Sequence, residues 1–211
     1  MYKIELNRSL SEIRLILNIK DVEGTYFPFQ ERSLGDAMPI VFDDKIRIAK
    51  WDHIFGKDMI LFNQIDPSLF QENYFRCVVP INGFLILDRG NHINKFYEEN
   101  KSLFFLAAIC DKNNNFDFIM VENEDENQSF FFPFLPLCLS LNDINIWIGP
   151  LYSSILTNNE RSFVKLDFME VFQQEGPNPV YFTYIFDQIR KYRIDLNKKL
   201  KNITPCINEV I

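Results

Sequence analysis

The start of the chain changes from a two-residue period of apolar positions to a helical period. The segment YKIEL (residues 2–6) alternates between apolar and polar side chains, which predicts a β-strand. Ile13 and Leu17 then fall on one face of the helix predicted from SLSEIRLILNI. Ser9 and Glu12 have the spacing of a capping box, in which each side chain binds the other residue's backbone N–H. We therefore expect a strand followed by a short amphipathic helix.

The middle of the chain has the pattern of a β-rich domain interrupted by turns. Residues 21–38 are predicted to form a long loop, and PIVFDDKIRIAKW then predicts a hairpin that turns at Asp43 and Asp44. Asp66 and Pro67 suit the N-cap and the first position of a short helix. The segments FRCVVP, GFLILD, INKFYEE and SLFFLAAIC predict four strands in a meander, and FDFIMVEN predicts a further strand.

The last part of the chain is less regular until a helical pattern begins near its end. The prolines in SFFFPFLPLCLSL argue against a central strand or a helix throughout that segment, and NDINIWIGP predicts a short helical turn that ends at Gly149. From Val180 onward apolar residues recur at helical spacing, and basic residues crowd the second half of this helix. We therefore divide the chain into a main domain, 1–179, and a C-terminal helical extension, 180–211, packed on or beside it.

The composition indicates a globular chain with an aromatic core. Hydrophobic residues make up 47% of the 211 residues, and burial best explains the 22 phenylalanines, since each buried ring removes a large apolar area from water. No apolar run approaches the roughly 18 residues that a membrane-spanning helix needs. The first residues also lack the apolar centre of a signal peptide. We expect a cytoplasmic protein with no membrane partner.

Charge and metal-binding residue types narrow the possible partners. The net charge of −7 counts against a nucleic-acid binder, although the basic C-terminal segment shows that charge is segregated along the chain. His53 and His92 have no Ser, Cys or carboxylate at a recognisable catalytic spacing, so surface or capping roles are expected. The four cysteines form no Cys-x-x-Cys pair and are expected to be reduced thiols. Neither a metal site nor any other cofactor is predicted.

A series of short segments follows the order of landmarks in a known family. They are MYKIELNRSLSEIRLIL, MPIVFDDKIRIAKWDHIF, FNQID, RCVVPINGFLIL, LFFLAAIC, FPFLPLCL and WIGP. Over residues 1–150 the chain resembles the SOS-response-associated peptidase (SRAP) family, the abasic-site-processing proteins. Together with the strand pattern, this resemblance implies an α+β fold. We expect a barrel-like, mostly antiparallel sheet with flanking helices and a C-terminal helix.

The family's chemistry depends on a cysteine at the second position. The resemblance implies that its free α-amine and its thiol condense with the ring-opened aldehyde of an abasic site in single-stranded DNA. The product is a stable ring adduct. An asparagine, a glutamate and a histidine support the reaction by orienting groups and moving protons.

The catalytic positions implied by the resemblance carry other residues in this chain. The cysteine position falls on Tyr2, the glutamate on Ile86 and the histidine on Phe132, while the asparagine corresponds to Asn63. A phenol cannot form the ring adduct, and the Ile86 and Phe132 side chains have no proton to exchange. The chain is therefore predicted to be a degenerate SRAP member that keeps the fold and lacks the adduct chemistry.

Residual binding of single-stranded DNA, or binding of a protein, is the role expected of such a chain. Lys50, Trp51 and Arg76 are the candidate residues for weak DNA binding. Trp51 could stack a base, although a Trp at a strand end belongs more often to the core. Arg76 could meet a phosphate or be a paired surface group. The run Phe130–Phe134 could bind a partner if it is exposed, but buried packing is the preferred interpretation.

Two other functions stay open at this point. An active enzyme of the SRAP type could use residues outside the family's set, with Cys77 as a candidate nucleophile. A thiol inside a strand with no neighbouring base is, however, a poor nucleophile. Alternatively, the chain is an unrelated binding module, which a fold without the central strands would indicate.

Overall fold

The computed structural model describes residues 3–56, 60–70, 73–98, 102–123, 128–152 and 166–170. For residues 29, 30, 69 and 166–170 the description covers the backbone. By its internal contacts the chain divides into Met1–Val171 and Phe172–Ile211, and every described residue lies in the first of these units. The predicted boundary at residue 180 and the C-terminal helix lie outside the described residues and stay predictions.

Strands dominate the described part of the chain, which also contains two α-helices and two turns of 3-10 helix. The strands are β1 (Lys3–Leu6), β2 (Asp21–Glu23), β3 (Phe29–Arg32), β4 (Ala37–Phe42), β5 (Lys45–Trp51), β6 (Ile60–Leu61), β7 (Tyr74–Ile81), β8 (Gly83–Leu87), β9 (Ile93–Glu98), β10 (Phe104–Asp111), β11 (Asn115–Glu122), β12 (Phe134–Pro136), β13 (Cys138–Leu139) and β14 (Leu166–Glu170). The helices are α1 (Leu10–Leu17) and α2 (Ile144–Ile148), and the 3-10 turns are Phe62–Gln64 and Pro67–Phe70. Neither described α-helix has the length and apolar character that crossing a bilayer requires.

The larger sheet closes into a ring of five strands. Its order includes β11-β10-β7-β4-β5, joined by antiparallel pairings, and β5 returns to pair with β11 in parallel through Lys50 with Asn115 and Trp51 with Phe116. The hairpin between β4 and β5 turns at Asp43 and Asp44 as predicted, and both residues have positive φ. The fold class is therefore confirmed: an α+β fold built on a barrel-like, mostly antiparallel sheet.

A second sheet, in the order β14-β9-β8-β1-β3, carries the strand that follows β7. The predicted meander is wrong at two connections, because β7 and β8 belong to different sheets, and so do β9 and β10. The first crossing between the sheets is at Asn82. The Asn82 side-chain oxygen accepts the backbone N–H of Asn7 at 3.0 Å, and the Asn82 backbone N–H donates to the Glu5 carbonyl at 2.8 Å. The next residue must be small, because a Cβ on Gly83 would meet the Phe96 carbonyl oxygen at 2.9 Å.

The core is aromatic, as the composition predicted. The largest almost fully buried side chains include Phe84, Phe96, Phe105, Phe116 and Trp147. Burying rings of this size is the main favourable contribution to folding in such a domain, since the hydrophobic free energy scales with the apolar area removed from water.

Helix α1 begins as predicted. The Ser9 hydroxyl accepts the Glu12 N–H at 3.3 Å, and the Glu12 carboxylate accepts the Ser9 N–H at 2.8 Å, which completes the capping box. The helix ends at Asn18 in the left-handed conformation (φ 54°), and asparagine is one of the few non-glycine residues that adopt this conformation readily.

The long loop predicted over residues 21–38 is partly wrong. It contains β2, which pairs in parallel with β5, and β3, which pairs with β1. Both strands are short and flank Gly24 and Pro28, so neither presents enough residues for a two-residue period to be visible. The proline-containing segment after residue 129 forms only β12 and β13, in keeping with the exclusion of a long central strand.

Candidate functional site

Ile86 and Phe132, to which the resemblance assigns the glutamate and histidine positions, are both buried. Ile86 is 8% exposed and Phe132 is 3% exposed, and both belong to the continuous hydrophobic core. Tyr2 lies outside the described residues. The next residue, Lys3, pairs with Leu85, directly before Ile86.

Phenylalanine rings fill this part of the core. Phe84 and Phe96 are opposite each other on β8 and β9 and stack at 5.0 Å between ring centroids, with 9° between their planes. Phe132 packs edge-on against Phe96 at 5.1 Å, and Phe104 packs against Phe84 at 6.3 Å. We call Phe84, Phe96, Phe104 and Phe132 the phenylalanine cluster. None of its members can donate or accept a proton, so the cluster cannot support acid–base chemistry.

Asn63, which the resemblance matches to the family's asparagine, is not part of this cluster. Asn63 lies in the 3-10 turn Phe62–Gln64 with an exposed side chain, whereas Ile86 and Phe132 are buried. The buried polar residue beside Ile86 is Asn94, its partner on β9, whose amide nitrogen donates to the His92 carbonyl at 3.1 Å. The structure therefore buries both apolar replacements in the core and leaves Asn63 at the surface.

Lys50 and Trp51 both contact other residues of the fold. The Lys50 ammonium pairs with Asp52 at 2.7 Å, and this hydrogen bond, with one from the His53 backbone, lowers the pKa of Asp52. The Trp51 indole is 3% exposed and packs edge-on against Phe118 at 5.1 Å. A ring with so little exposed surface offers no face for stacking a base.

Arg76 closes the end of helix α2. Its Nε donates to the Trp147 carbonyl at 2.8 Å, and its Nη2 donates to the carbonyls of Gly149 at 2.9 Å and Ile148 at 3.2 Å. The guanidinium lies 4.1 Å from the centroid of Tyr152 and 4.6 Å from that of Phe70. Burial lowers the pKa of Arg76, and Tyr152 opposes that shift. A cation at the carbonyl end of a helix satisfies groups that have no partner within the helix.

The surroundings of Cys77 do not suit a nucleophile. The residue is fully buried, and burial raises the pKa of its thiol well above the ordinary value, with a further contribution from Cys110. A thiol is nucleophilic only as the thiolate, so this environment suppresses its reactivity. The Cys77 carbonyl has a structural role, because it accepts the Trp147 indole N–H at 2.8 Å.

A histidine–aspartate pair was missed by the sequence analysis. The His53 Nδ1 lies 3.1 Å from a carboxylate oxygen of Asp117, and the other oxygen accepts the Phe118 N–H at 2.8 Å. Asp117 is 7% exposed, while the His53 side chain is 42% exposed. The residues are 64 positions apart, and only the parallel pairing of β5 with β11 brings them together, so no local spacing could have indicated the pair.

We expect Asp117 to make the protein less stable as the pH rises. Burial raises the pKa of Asp117, with the His53 hydrogen bond opposing the shift, so the folded state holds the proton more tightly than the unfolded state. The free energy of unfolding therefore falls as the pH rises from about 3.9 through the higher folded-state pKa. Urea unfolding at several pH values should show Asp117→Asn gaining stability relative to the natural chain across that interval.

The control for this experiment is Asp52→Asn, because the pKa of Asp52 is shifted in the opposite direction. Its carboxylate favours the folded state above the unfolded pKa, so this variant should lose stability relative to the natural chain as the pH rises. Parallel stability curves for the natural chain and Asp117→Asn would contradict the assignment.

An aromatic cleft of about 250 Å³ opens beside Arg76. Its walls are the half-buried side chains of Phe42, Phe70, Tyr74 and Phe75, with Ile148, and its two charged residues are Arg76 and Asp43. None of these residues belongs to the phenylalanine cluster.

The run Phe130–Phe134 divides between surface and core. Phe130 is 65% exposed and Phe131 is 38% exposed, with their rings 5.3 Å apart, so buried packing was the wrong expectation for these two. It was right for Phe132. The Arg89 guanidinium lies 5.4 Å from the Phe130 centroid.

Comparison with known proteins supports the fold without naming a function. No family model matches the chain, and no curated protein matches its sequence. A structural-genomics crystal structure of a Bacteroides thetaiotaomicron protein superposes with a TM-score of 0.58 and 12% identity, over 82% of this chain and 93% of that one. A second, from Bordetella bronchiseptica, gives 0.56 and 8%, over 82% and 100%. At these identities the likeness shows a shared fold alone.

Proposed function

We propose that this chain is a non-catalytic protein of the SRAP type, which acts by binding and forms no covalent adduct with abasic sites. The observation that carries the proposal is the phenylalanine cluster, with Phe132 against Phe96 and with Ile86 in the same core. The resemblance assigns a histidine and a glutamate to these two positions. Replacing buried polar groups by packed apolar ones removes both the chemistry and the cost of satisfying those groups.

The order of the sequence landmarks supports the family assignment within this proposal. The barrel-like fold agrees with what the resemblance implies, and solved structures of nearly the same extent share that fold. Both apolar replacements are also buried in the continuous hydrophobic core, as the filling of a polar pocket requires.

The role left to the chain is binding that depends neither on Lys50 or Trp51 nor on a bidentate phosphate contact by Arg76. Lys50 is paired with Asp52, Trp51 is buried, and Arg76 is bound to three carbonyls. Contacts of phosphates with a chain of net charge −7 would be few, so binding of single-stranded DNA should be weak and easily abolished by salt.

We expect no covalent adduct when the purified chain is incubated with a labelled single-stranded oligonucleotide that contains an abasic site. The test is a denaturing gel, with one arm containing a mild hydride reductant that traps any Schiff base. A peptide with an N-terminal cysteine serves as the positive control, because its amine and thiol condense with the same aldehyde. A stable adduct without reductant, on the full chain, would overturn the proposal.

The His53–Asp117 pair favours one alternative, an enzyme that uses residues outside the SRAP set. A carboxylate-oriented imidazole is the arrangement of a general base, and a base can cleave the strand at an abasic site by β-elimination. The same gel detects this reaction as a shortened oligonucleotide. Cleavage by the natural chain that is lost in His53→Asn would replace the proposed function with this one.

A further inference from the structure

The walls of the aromatic cleft are held in place by contacts with one another and with Arg47 and Phe55. Phe42 and Phe75 lie 4.5 Å apart with 39° between their planes, and Arg47 lies 4.7 Å from the centroid of Phe42. Tyr74 packs against Phe55 at 4.9 Å. Rings already fixed by such contacts lose little conformational entropy when a ligand binds, which favours stacking.

The two charges that line the cleft, positive on Arg76 and negative on Asp43, cancel, so the lining favours neither a simple anion nor a simple cation. Arg76 uses Nε and Nη2 on the three carbonyls that end α2, and its guanidinium lies over the rings of Tyr152 and Phe70. The fork that binds carboxylate or phosphate in a bidentate manner is therefore occupied, which leaves the N–H groups of Nη1 for a single acceptor. The same positive charge opposes a cationic ligand among the rings.

Asp43 supplies the carboxylate whose negative charge complements Arg76 in the cleft. It lies on the turn between β4 and β5, at φ 46°, with its side chain exposed at the cleft. Among the described residues Asp43 and Arg76 form no ion pair with each other, although both line the cleft. A carboxylate accepts two parallel N–H donors, so it selects a ligand edge with two adjacent donors.

We propose that the aromatic cleft binds one guanine-type ring: a neutral, planar heterocycle with two adjacent N–H donors for Asp43 and an acceptor for Arg76. The aromatic walls provide the stacking surface, as they do for unpaired bases in general. The volume of about 250 Å³ is below the roughly 300–1,000 Å³ of sites for drug-sized ligands, so the cleft holds a single ring system. This inference does not rest on the proposed function, because it involves different residues.

Isothermal titration of the full chain with guanosine tests the site. Guanosine should bind, and inosine, which differs only by lacking the exocyclic amine, should bind at least about tenfold more weakly, since one of the two donors to Asp43 is missing. Adenosine, which lacks the paired donors, should be as weak as inosine. Equal affinity for the three nucleosides, or no binding of guanosine, would overturn the proposal.

Asp44, the other residue of the turn between β4 and β5, provides the matched control. Asp43→Asn should reduce guanosine affinity to about the inosine level, whereas Asp44→Asn should leave it unchanged. Both changes remove one negative charge from an exposed turn residue with positive φ, and asparagine tolerates that conformation. Equal effects of the two variants would mean that Asp43 makes no specific contact and would refute the site.

A guanine-containing single-stranded oligonucleotide and guanosine 5′-monophosphate distinguish the sources of the ring. Tighter binding of the oligonucleotide than of the nucleoside, lost in Asp43→Asn, would assign the cleft to nucleic acid. Equal affinity for nucleoside and oligonucleotide, also lost in Asp43→Asn, would assign it to a free nucleoside or nucleotide. Either result supports the site, and neither depends on whether the chain forms an adduct with abasic DNA.

Discussion

Phe96→Ala should destabilise the fold by about 3–5 kcal/mol, the usual cost of truncating a fully buried phenylalanine. Phe96 is 1% exposed and is the central member of the phenylalanine cluster, since it stacks on Phe84 and receives the edge of Phe132. Truncation removes both ring contacts and leaves a cavity in the core. Because natural domains have unfolding free energies of about 5–15 kcal/mol, this variant should unfold at much lower urea concentration.

The matched control is Phe27→Ala, which removes the same atoms from a residue that is 69% exposed. We expect this change to stay within about 0.5 kcal/mol of the natural chain, as for most surface substitutions. Urea unfolding monitored by circular dichroism gives both midpoints and slopes. Similar destabilisation by the two variants would mean that the phenylalanine cluster is not a packed part of the core, and the proposal of a filled pocket would lose its main support.

Most strands could be predicted from the sequence because their signals are local. β5 and β7–β11 have apolar patterns of ordinary strand length, and the turn at Asp43 and Asp44 has residues that tolerate positive φ. The choice of partner strand is not local. A strand's pattern states that one or both faces are buried, but not which sheet buries them. The crossing at Asn82, where a tight turn looked like a hairpin, therefore became visible only in the structure.

For the candidate sites, local sequence patterns indicate even less about which residues come together. The resemblance singled out Ile86 and Phe132 as candidate positions, because a family pattern relates residues that are distant in sequence. Residue types and spacing gave no such guidance for His53 and Asp117, which are 64 positions apart, or for Arg76, whose carbonyl partners lie 71 to 73 positions away. An arginine that ends a helix from another element has no sequence signature, whereas the Ser9 capping box does.

Arg76→Leu should destabilise the chain by about 3 kcal/mol, because hydrogen bonds to charged groups contribute about 1.5–3 kcal/mol and the cation–π contacts add to them. The substitution leaves the carbonyls of Trp147, Ile148 and Gly149 without their cationic donor. Arg76→Lys should recover only a small part of the loss, since an ammonium cannot reproduce the planar fork that joins these carbonyls and also lies over two rings.

The control for Arg76 is Arg47→Leu, which also removes a guanidinium close to a phenylalanine ring. Arg47 lies over Phe42 and pairs with Glu23 at 2.6 Å, but its side chain is 33% exposed and the partner is 47% exposed. A surface pair of this kind contributes at most about 1 kcal/mol. If unfolding by urea gave the same loss for both variants, water would be satisfying the α2 carbonyls without Arg76. The guanidinium would then be free to bind a ligand, and the phosphate contact suggested by the resemblance would regain support. The aromatic cleft would in that case accept anions.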